Sequence, residues 1–540
     1  MIERPRKLFS ILSVLLFISV LSSTVVSQVI RTEHELNGFT EYTSYDNLIK
    51  FLYEVKETST EMQIGFYGKT ELGRDLPYAV FSRPAVSKPW EALSSGKPIV
   101  VLNSNVHGGE RTLRESNLML IRELADPNSD SNRLLDDIIV IMVPTVNPDG
   151  FDAQPRATRG NSHGIDLNRD YMKLEQPALA NFVQNILLTW HPHVVVDGHN
   201  GGSFPYNICY QGPSNASPDQ RITLLCDREI FPFIDSKMEA DGYRSWYYSG
   251  GDRESWRGGG SDPRIGRNYG GFINTVGILF ESPGGQEREI GALSGKVAYK
   301  AVLQYVAANP ENVIMHVERA RRETVEMGKN ARSDIVVQME YAPEDYKVDY
   351  LIGEGPRGGE QTIVEVKGAD LIKKPVPTKV RPRPYAYILY GSASKAVDML
   401  KRHKINIEVL EEDIELEVQV YALDSVSYAQ EYDHPAAATV YVGEVRTQRI
   451  MFPKGSYVIQ TGQYQGRVAA HMLEPETNDN VVRWNTMDFV LPARMSPERL
   501  RSMNERRRAQ GQEPVENQRT EFPIFKLMTS MPLPTKILNY

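Results

Sequence analysis

The stretch "KPIVVLNSNVHGGERTLRES", Lys97 to Ser116, begins as an unbroken apolar run and ends as a polar turn. Ile99 to Leu102 shows no alternation of apolar and polar residues, the pattern of a strand covered on both faces. The run gives out at His107, crosses Gly108 and Gly109, and delivers Glu110 three residues after the histidine. Beyond the turn, leucines at 113, 118, 120 and 124 recur with helical spacing. The stretch therefore predicts strand, turn and helix, with a histidine and a carboxylate at the strand's carboxyl end.

Three other runs have the same design. "DIIVIMVPTVNPDG" ends in a proline–glycine turn at Asn147 to Gly150, "HVVVDGH" ends at His199, and "TVGILFESPGG" places Glu281 just before a Pro–Gly turn. Helical patterns lie between and after them, in "EQPALANFVQNILLTW" and "GKVAYKAVLQYVAAN". Alternating strands and helices predict an α/β fold with a central mixed, mostly parallel sheet flanked by helices. In such sheets the ligand sits beyond the carboxyl ends of the strands, where His107, Glu110, His199 and Glu281 all fall.

Zinc takes imidazole nitrogen and carboxylate oxygen, and a catalytic zinc leaves one position open. Two ligands from one turn, His107 and Glu110, plus His199 from a distant strand end meet that need. A lone His-x-x-Glu arises often by chance; what gives this one weight is that both elements sit where the sheet predicts a pocket. Zinc lowers the pKa of a bound water to about 7, and a carboxylate beside it, Glu281, can take the proton and return it to a leaving amine.

The chain of 540 residues is long enough for two or three domains, and its 41% hydrophobic content suffices for a buried core. A net charge of −8, with no long basic run, argues against nucleic acid as a partner. Residues 1–28 read as a signal peptide. Arg4, Arg6 and Lys7 precede the apolar "LFSILSVLLFISVL", and Val25 and Ser27 take small-residue cleavage positions. An uncleaved anchor is the alternative; the apolar run is short for a span. The expectation is an exported protein, periplasmic or extracellular, with no stable membrane insertion after cleavage. Two cysteines, Cys209 and Cys226, could pair or stay free, and they are too few for a thiolate zinc site.

Residues 29–335 are expected to form the catalytic domain. From 336 to 384 the Gly- and Pro-rich "GEGPRGGEQ" and "KKPVPTKVRPRPY" read as linker or surface loop. Residues 385–540 carry β-like runs such as "LEVQVYAL", "ATVYVGEV" and "GSYVIQTG", predicting a smaller, mainly β accessory domain. Within it, "SPERLRSMNERRRAQGQEPVENQR" reads as a solvated helical or disordered insertion.

"HGGE", "NPDG", "RATR", "DLNR", "DGH" and "FES", in that order, resemble the zinc carboxypeptidase family typified by carboxypeptidase A. The likeness covers roughly residues 40 to 310 and includes the lead-in "FYGKTELGRDLPYAVFS". It implies one zinc ion held by His107, Glu110 and His199. Asp166 would orient the first histidine, as a carboxylate on the far ring nitrogen does. Arg159 would polarise the scissile carbonyl, Asn168 and Arg169 would hold a substrate's terminal carboxylate, and Glu281 would be the catalytic glutamate. A planar guanidinium fork suits a carboxylate, so the implied substrate is a peptide with a free C-terminal carboxylate.

The chain departs from the family between His199 and Glu281. The family's mobile tyrosine would fall near Gly259, leaving Tyr247, Tyr248 and Tyr269 as candidates. Arg253, Arg257, Arg264 and Arg267 crowd the same segment, either favouring acidic side chains or simply facing solvent. The expected activity is that of a secreted zinc metallocarboxypeptidase. Two other readings stay open: a zinc amidohydrolase acting on muropeptides or acylated amino acids, and a non-catalytic peptide-binding protein on the same fold.

Overall fold

The apolar runs become the central strands of an eight-stranded sheet. The computed structural model describes residues 29–356, 359–491, 497–515 and 520–538, so the expected signal peptide lies outside the described residues. The strands are β1 Met62–Lys69, β2 Asp75–Phe81, β3 Ile99–Ser104, β4 Ile139–Val143, β5 Val194–Asn200, β6 Ile208–Gln211, β7 Ser245–Tyr247 and β8 Val276–Ser282. Their order is β1-β2-β4-β3-β5-β8-β6-β7. The pairs β4–β3, β3–β5, β5–β8 and β6–β7 are parallel; β1–β2, β2–β4 and β8–β6 are antiparallel. The sheet is mixed and mostly parallel, as the lack of alternation in its central runs foretold.

Period-two geometry divides each central strand between two cores. Ile99 and Val101 of β3 join Ile139, Ile141, Phe182, Val183 and Trp190 on one face. Val100 and Leu102 join Leu118, Ile121 and Leu124 of helix α1, Thr112–Ala125, on the other. Val302 and Val306 of helix α2, Arg288–Ala308, complete that second layer. Each fully buried Val, Leu or Ile contributes about 1.5–3 kcal/mol, so slipping a central strand by one residue would exchange the two cores and is strongly opposed.

The segment 336–384, expected as linker and loop, is instead a long hairpin of Asp334–Glu354 and Thr362–Pro382. It extends a small sheet with Ser255–Gly258 and Ser249–Gly251. Its prolines misled the reading. Pro375, Pro377 and Pro382 lie on Thr362–Pro382 beyond its short pairing with Ser255–Gly258, where that strand has a partner on one side only, and Pro343 of the facing strand sits at a register shift. Edge strands and bulges are where a missing N–H costs least.

Residues beyond 385 form a separate seven-stranded sheet that includes Ala386–Leu389, Ile414–Glu431, His434–Phe452 and Tyr457–Gln460. The arginine-rich insertion carries the helix Pro497–Ala509. The accessory sheet shares the first core: Tyr387, Val397 and Leu400 lie in one cluster with Leu179 and Trp190. Polar contacts reinforce the join, with Tyr269 O–H 2.9 Å from His403 Nδ1 and Arg402 donating to the Lys173 carbonyl at 2.8 Å. Among the described residues no helix is long and apolar enough to cross a membrane. Cys209 and Cys226 are buried free thiols.

Candidate metal centre and active site

The turn after β3 is built by Asn105. Its backbone is left-handed, φ 59°, a conformation asparagine tolerates better than most residues. From there its side-chain amide donates to the carbonyls of His107, Gly108 and Glu110 at 3.0–3.1 Å. Gly108 has no room for a side chain, since a Cβ would lie 2.2 Å from the Gly150 carbonyl carbon. The backbone N–H groups of Gly108 and Gly109 donate to the carbonyls of Arg159 and Thr158 at 3.2 and 2.7 Å. The glycine turn thus knits His107 and Glu110 to the loop that carries Arg159. Asn147 holds the next loop, accepting from Gly150 N–H and donating to the Val106 and Gly160 carbonyls.

Three electron-pair atoms meet beyond the strand ends. His107 Nδ1 and His199 Nδ1 are 3.0 Å apart, and Glu110 Oε2 lies 2.9 Å from each. The far ring nitrogens face carboxylates: His107 Nε2 is 2.9 Å from Asp166 Oδ1, and His199 Nε2 is 2.9 Å from Asp197 Oδ2, the second pair poorly aligned for a hydrogen bond. A carboxylate on Nε2 places the proton there and leaves the lone pair on Nδ1. Two imidazole lone pairs and one carboxylate then point at one another with no proton between them. That donor set fits a zinc ion, and among the described residues these three form the cluster able to hold one.

The charges around the cluster agree. Burial raises the Glu110 carboxyl, but His107 and His199 outweigh it and hold it well below the ordinary carboxylate value. Burial also raises Asp166, and His107, Arg159 and Arg169 drive it far down. Without a cation, His199 is pulled in opposite senses, lowered by burial and raised further by Asp197 and Glu110. A metal ion would supply the positive charge that Asp197 and Glu110 otherwise draw from His199.

Glu281 is the lateral neighbour of His199, paired with it in the parallel β5–β8 register. It is buried, and burial pushes its carboxyl up to about 7, with His199 opposing and Glu110 adding to the rise. Arg159 bridges the cluster's rim: Nε donates to Asp166 Oδ2 at 2.9 Å and Nη1 to Glu110 Oε1 at 3.1 Å, with its side chain 45% exposed. Asn168 is buried, its Oδ1 accepting from Gly266 N–H at 2.8 Å and its Nδ2 3.5 Å from His199 Nε2. Arg169 donates to the Asn168 carbonyl at 2.8 Å, and its guanidinium lies 5.9 Å from the Tyr432 ring. All eight residues singled out in the sequence therefore gather at one end of the sheet.

Four further residues belong to this site. Asp197 stands two positions before His199, hence on the same strand face, and that period-two relation was readable in "VVVDGH". Tyr248 separates from its rivals by position. Tyr247 is buried with Lys373 over its ring, and Tyr269 is buried against His403. Tyr248 packs its ring on Gly259, and its hydroxyl, made less acidic by burial, feels the charge of Glu281. The last two come from the accessory domain, at the turn between Ile414–Glu431 and His434–Phe452. Asp433 Oδ2 accepts from Asp166 N–H at 2.6 Å, and Tyr432 faces Arg169. No local pattern signals them.

Residues 48–185 match the zinc carboxypeptidase family, a span holding His107, Glu110, Arg159, Asp166, Asn168 and Arg169. Carboxypeptidase 2 of Trichophyton rubrum is 27% identical over 442 residues, covering 76% of this chain and 78% of its own. Carboxypeptidase 2 of Trichophyton equinum is 28% identical over 446 residues with the same coverage. A metallo-carboxypeptidase structure from Burkholderia cenocepacia is 18% identical, with a TM-score of 0.39 over 49% of this chain and 70% of its own. With the motifs in order and their residues converging on one donor set, residues 48–185 carry a zinc carboxypeptidase domain.

Proposed function

We propose that the protein is an exported metallocarboxypeptidase that removes single residues from free peptide C-termini. The observation that carries this reading is the meeting of the His107, Glu110 and His199 ligand atoms beside Glu281. Zinc held by those three residues would supply a Lewis acid and make hydroxide available near neutral pH. Glu281 takes the proton of the attacking water and passes it to the leaving amine; a carboxyl poised near 7 suits both halves of that task. Arg159 lets go of Glu110 to donate to the oxygen that becomes negative, a contribution of about 3 kcal/mol to the barrier for such donors. Asn168 and Arg169 receive the terminal carboxylate, and Tyr248 covers the bound residue from the opposite side. Recognition of a chain end by Arg169 is what restricts such a site to exopeptidase action.

Export rests on the basic-then-apolar pattern of residues 1–28. N-terminal sequencing of protein from an expressing cell should begin near Gln28 or Val29.

The substrate assignment is tested on the zinc-loaded protein with N-blocked dipeptides, their C-terminal amides and muropeptides. Free acids should be cleaved at least about 100-fold faster than amides, since the amide leaves Arg169 without its anion. Equal rates on acid and amide, or faster turnover of muropeptides than of any dipeptide, would contradict it.

A further inference from the structure

Four arginines lie between His199 and Glu281, and the structure separates them. Arg253 is exposed and pairs with Glu354 at 2.6 Å, and Arg257 is exposed. Arg264 faces Asp262, Glu431 and Asp479 at 3.3–3.7 Å. Arg267 is 3% exposed, and no carboxylate lies within ion-pair distance of it among the described residues. One of its nitrogens, Nη2, donates to the Gly260 carbonyl, while Nε has no partner.

Two contacts fix where Arg267 sits. On one side, Gly266 N–H donates to Asn168 Oδ1, so the backbone of Arg267 starts one residue from the proposed carboxylate-binding pair. On the other, Gly260 follows Gly259, on which the Tyr248 ring packs and whose carbonyl accepts from Tyr341 O–H at 2.7 Å. The guanidinium therefore lies among Arg169, Tyr248 and Glu281, whose charges it feels, next to the residues proposed to hold the substrate's last residue. Burial lowers its pKa, Tyr341, Tyr248 and Glu281 oppose that, and Arg169 reinforces it as a like charge.

A guanidinium stays protonated even when buried, and an uncompensated buried charge is costly. A terminal carboxylate can neutralise Arg169 or Arg267 but not both. Only a substrate with a second carboxylate close to the first satisfies the pair. We propose that Arg267 is the specificity-determining residue of this site, pairing with the side-chain carboxylate of peptides that end in glutamate or aspartate. This assignment rests on the carboxypeptidase reading and narrows its substrate class.

The test compares N-blocked dipeptides that differ only in the last residue, with glutamate against its neutral isostere glutamine, and with aspartate, leucine and arginine alongside. Wild-type zinc enzyme should favour glutamate over glutamine in kcat/KM by at least about 30-fold, in the range of a charge-assisted hydrogen bond. Arg267→Gln should erase that ratio while keeping turnover of the glutamine and leucine substrates within about threefold. Its zinc content should match wild type. Arg267→Lys should retain part of the preference, since charge survives and the fork is lost. Wild-type preference for glutamine or leucine, or an equal loss on every substrate in Arg267→Gln, would overturn the assignment. If no dipeptide is cleaved, the peptidase reading itself fails. Arg267 is then judged by calorimetric titration of free L-glutamate and L-glutamine: tighter glutamate binding that vanishes in Arg267→Gln supports it, and equal binding refutes it.

Discussion

His199 and Glu281 stand side by side on adjacent parallel strands, the sixth pair in a register that runs from Val194–Val276 to Asn200–Ser282. Backbones in such a pair are about 4.8 Å apart, so the proposed base is held beside a proposed metal ligand by main-chain hydrogen bonds rather than by a mobile loop. Glu281→Gln leaves that ladder, and the three ligands, intact. The variant should bind zinc like wild type and lose about 100- to 10,000-fold in kcat, the range for removal of a general base. Metal analysis and dipeptide kinetics on the same preparation check it. Retained kcat would remove Glu281 from the chemistry.

Asp166 is hydrogen-bonded to Nε2 of one proposed ligand histidine, and Asp197 faces Nε2 of the other at 2.9 Å. Asp166→Asn and Asp197→Asn should each weaken zinc binding about 10- to 100-fold, as loss of such partners does. The Asp166 variant should be the worse in catalysis, because it also frees Arg159 from its 2.9 Å contact. Competition with a chelator measures the first effect. Unchanged zinc affinity in both would mean the tautomers are set by something else.

Asp433 ties the accessory domain to the catalytic one by accepting from Asp166 N–H. Asp433→Ala leaves that N–H of a buried residue without its partner and should cost about 1–3 kcal/mol. Activity should fall with it, since Asp166 is the residue that positions His107. Thermal melting and kinetics on the variant check both. Asp433→Asn keeps an acceptor oxygen and should recover most of the loss.

His193 contributes to the pH dependence of stability. It is buried, its Nδ1 accepting from Ile99 N–H at 3.0 Å, and burial followed by Arg321 lowers its pKa to about 3. The unfolded chain takes up a proton near pH 6.5 and the folded chain does not, so the contribution is complete above pH 6.5 and is lost as pH falls toward 3. Between pH 7 and pH 5 the loss is about 2 kcal/mol. His193→Asn keeps an acceptor and cannot titrate. Its melting temperature should gain on that of wild type as pH drops from 7 to 5, and acid release of metal affects both proteins alike. A gap that stays constant with pH would contradict the buried neutral histidine.

What the sequence disclosed followed how local each signal was. Val100, Val101 and Leu102 announce a doubly covered strand because burial on both faces leaves no polar alternation. His107 and Glu110 follow from the turn that ends that strand. Asp197 was equally within reach, two residues from His199, and needed only the period-two rule. Tyr248 could not be chosen over Tyr247 or Tyr269, because the choice depends on how the bend after Ser245–Tyr247 and the helix Gly266–Phe272 sit against Gly259 and Glu281. The prolines of "KKPVPTKVRPRPY" read as linker because proline argues against a central strand, yet the strand they occupy is two-stranded over most of its length. Asp433 lies 267 residues from Asp166 and owes its place to the packing of a whole domain. No local pattern encodes such a contact.

We propose that one zinc ion sits between His107, Glu110 and His199. Anomalous diffraction from crystals of the purified protein, measured on both sides of the zinc absorption edge, tests it directly. A single peak is expected about 2.0–2.2 Å from His107 Nδ1, His199 Nδ1 and a Glu110 oxygen. A zinc-soaked crystal with no peak there, or with its peak on other residues, would contradict it.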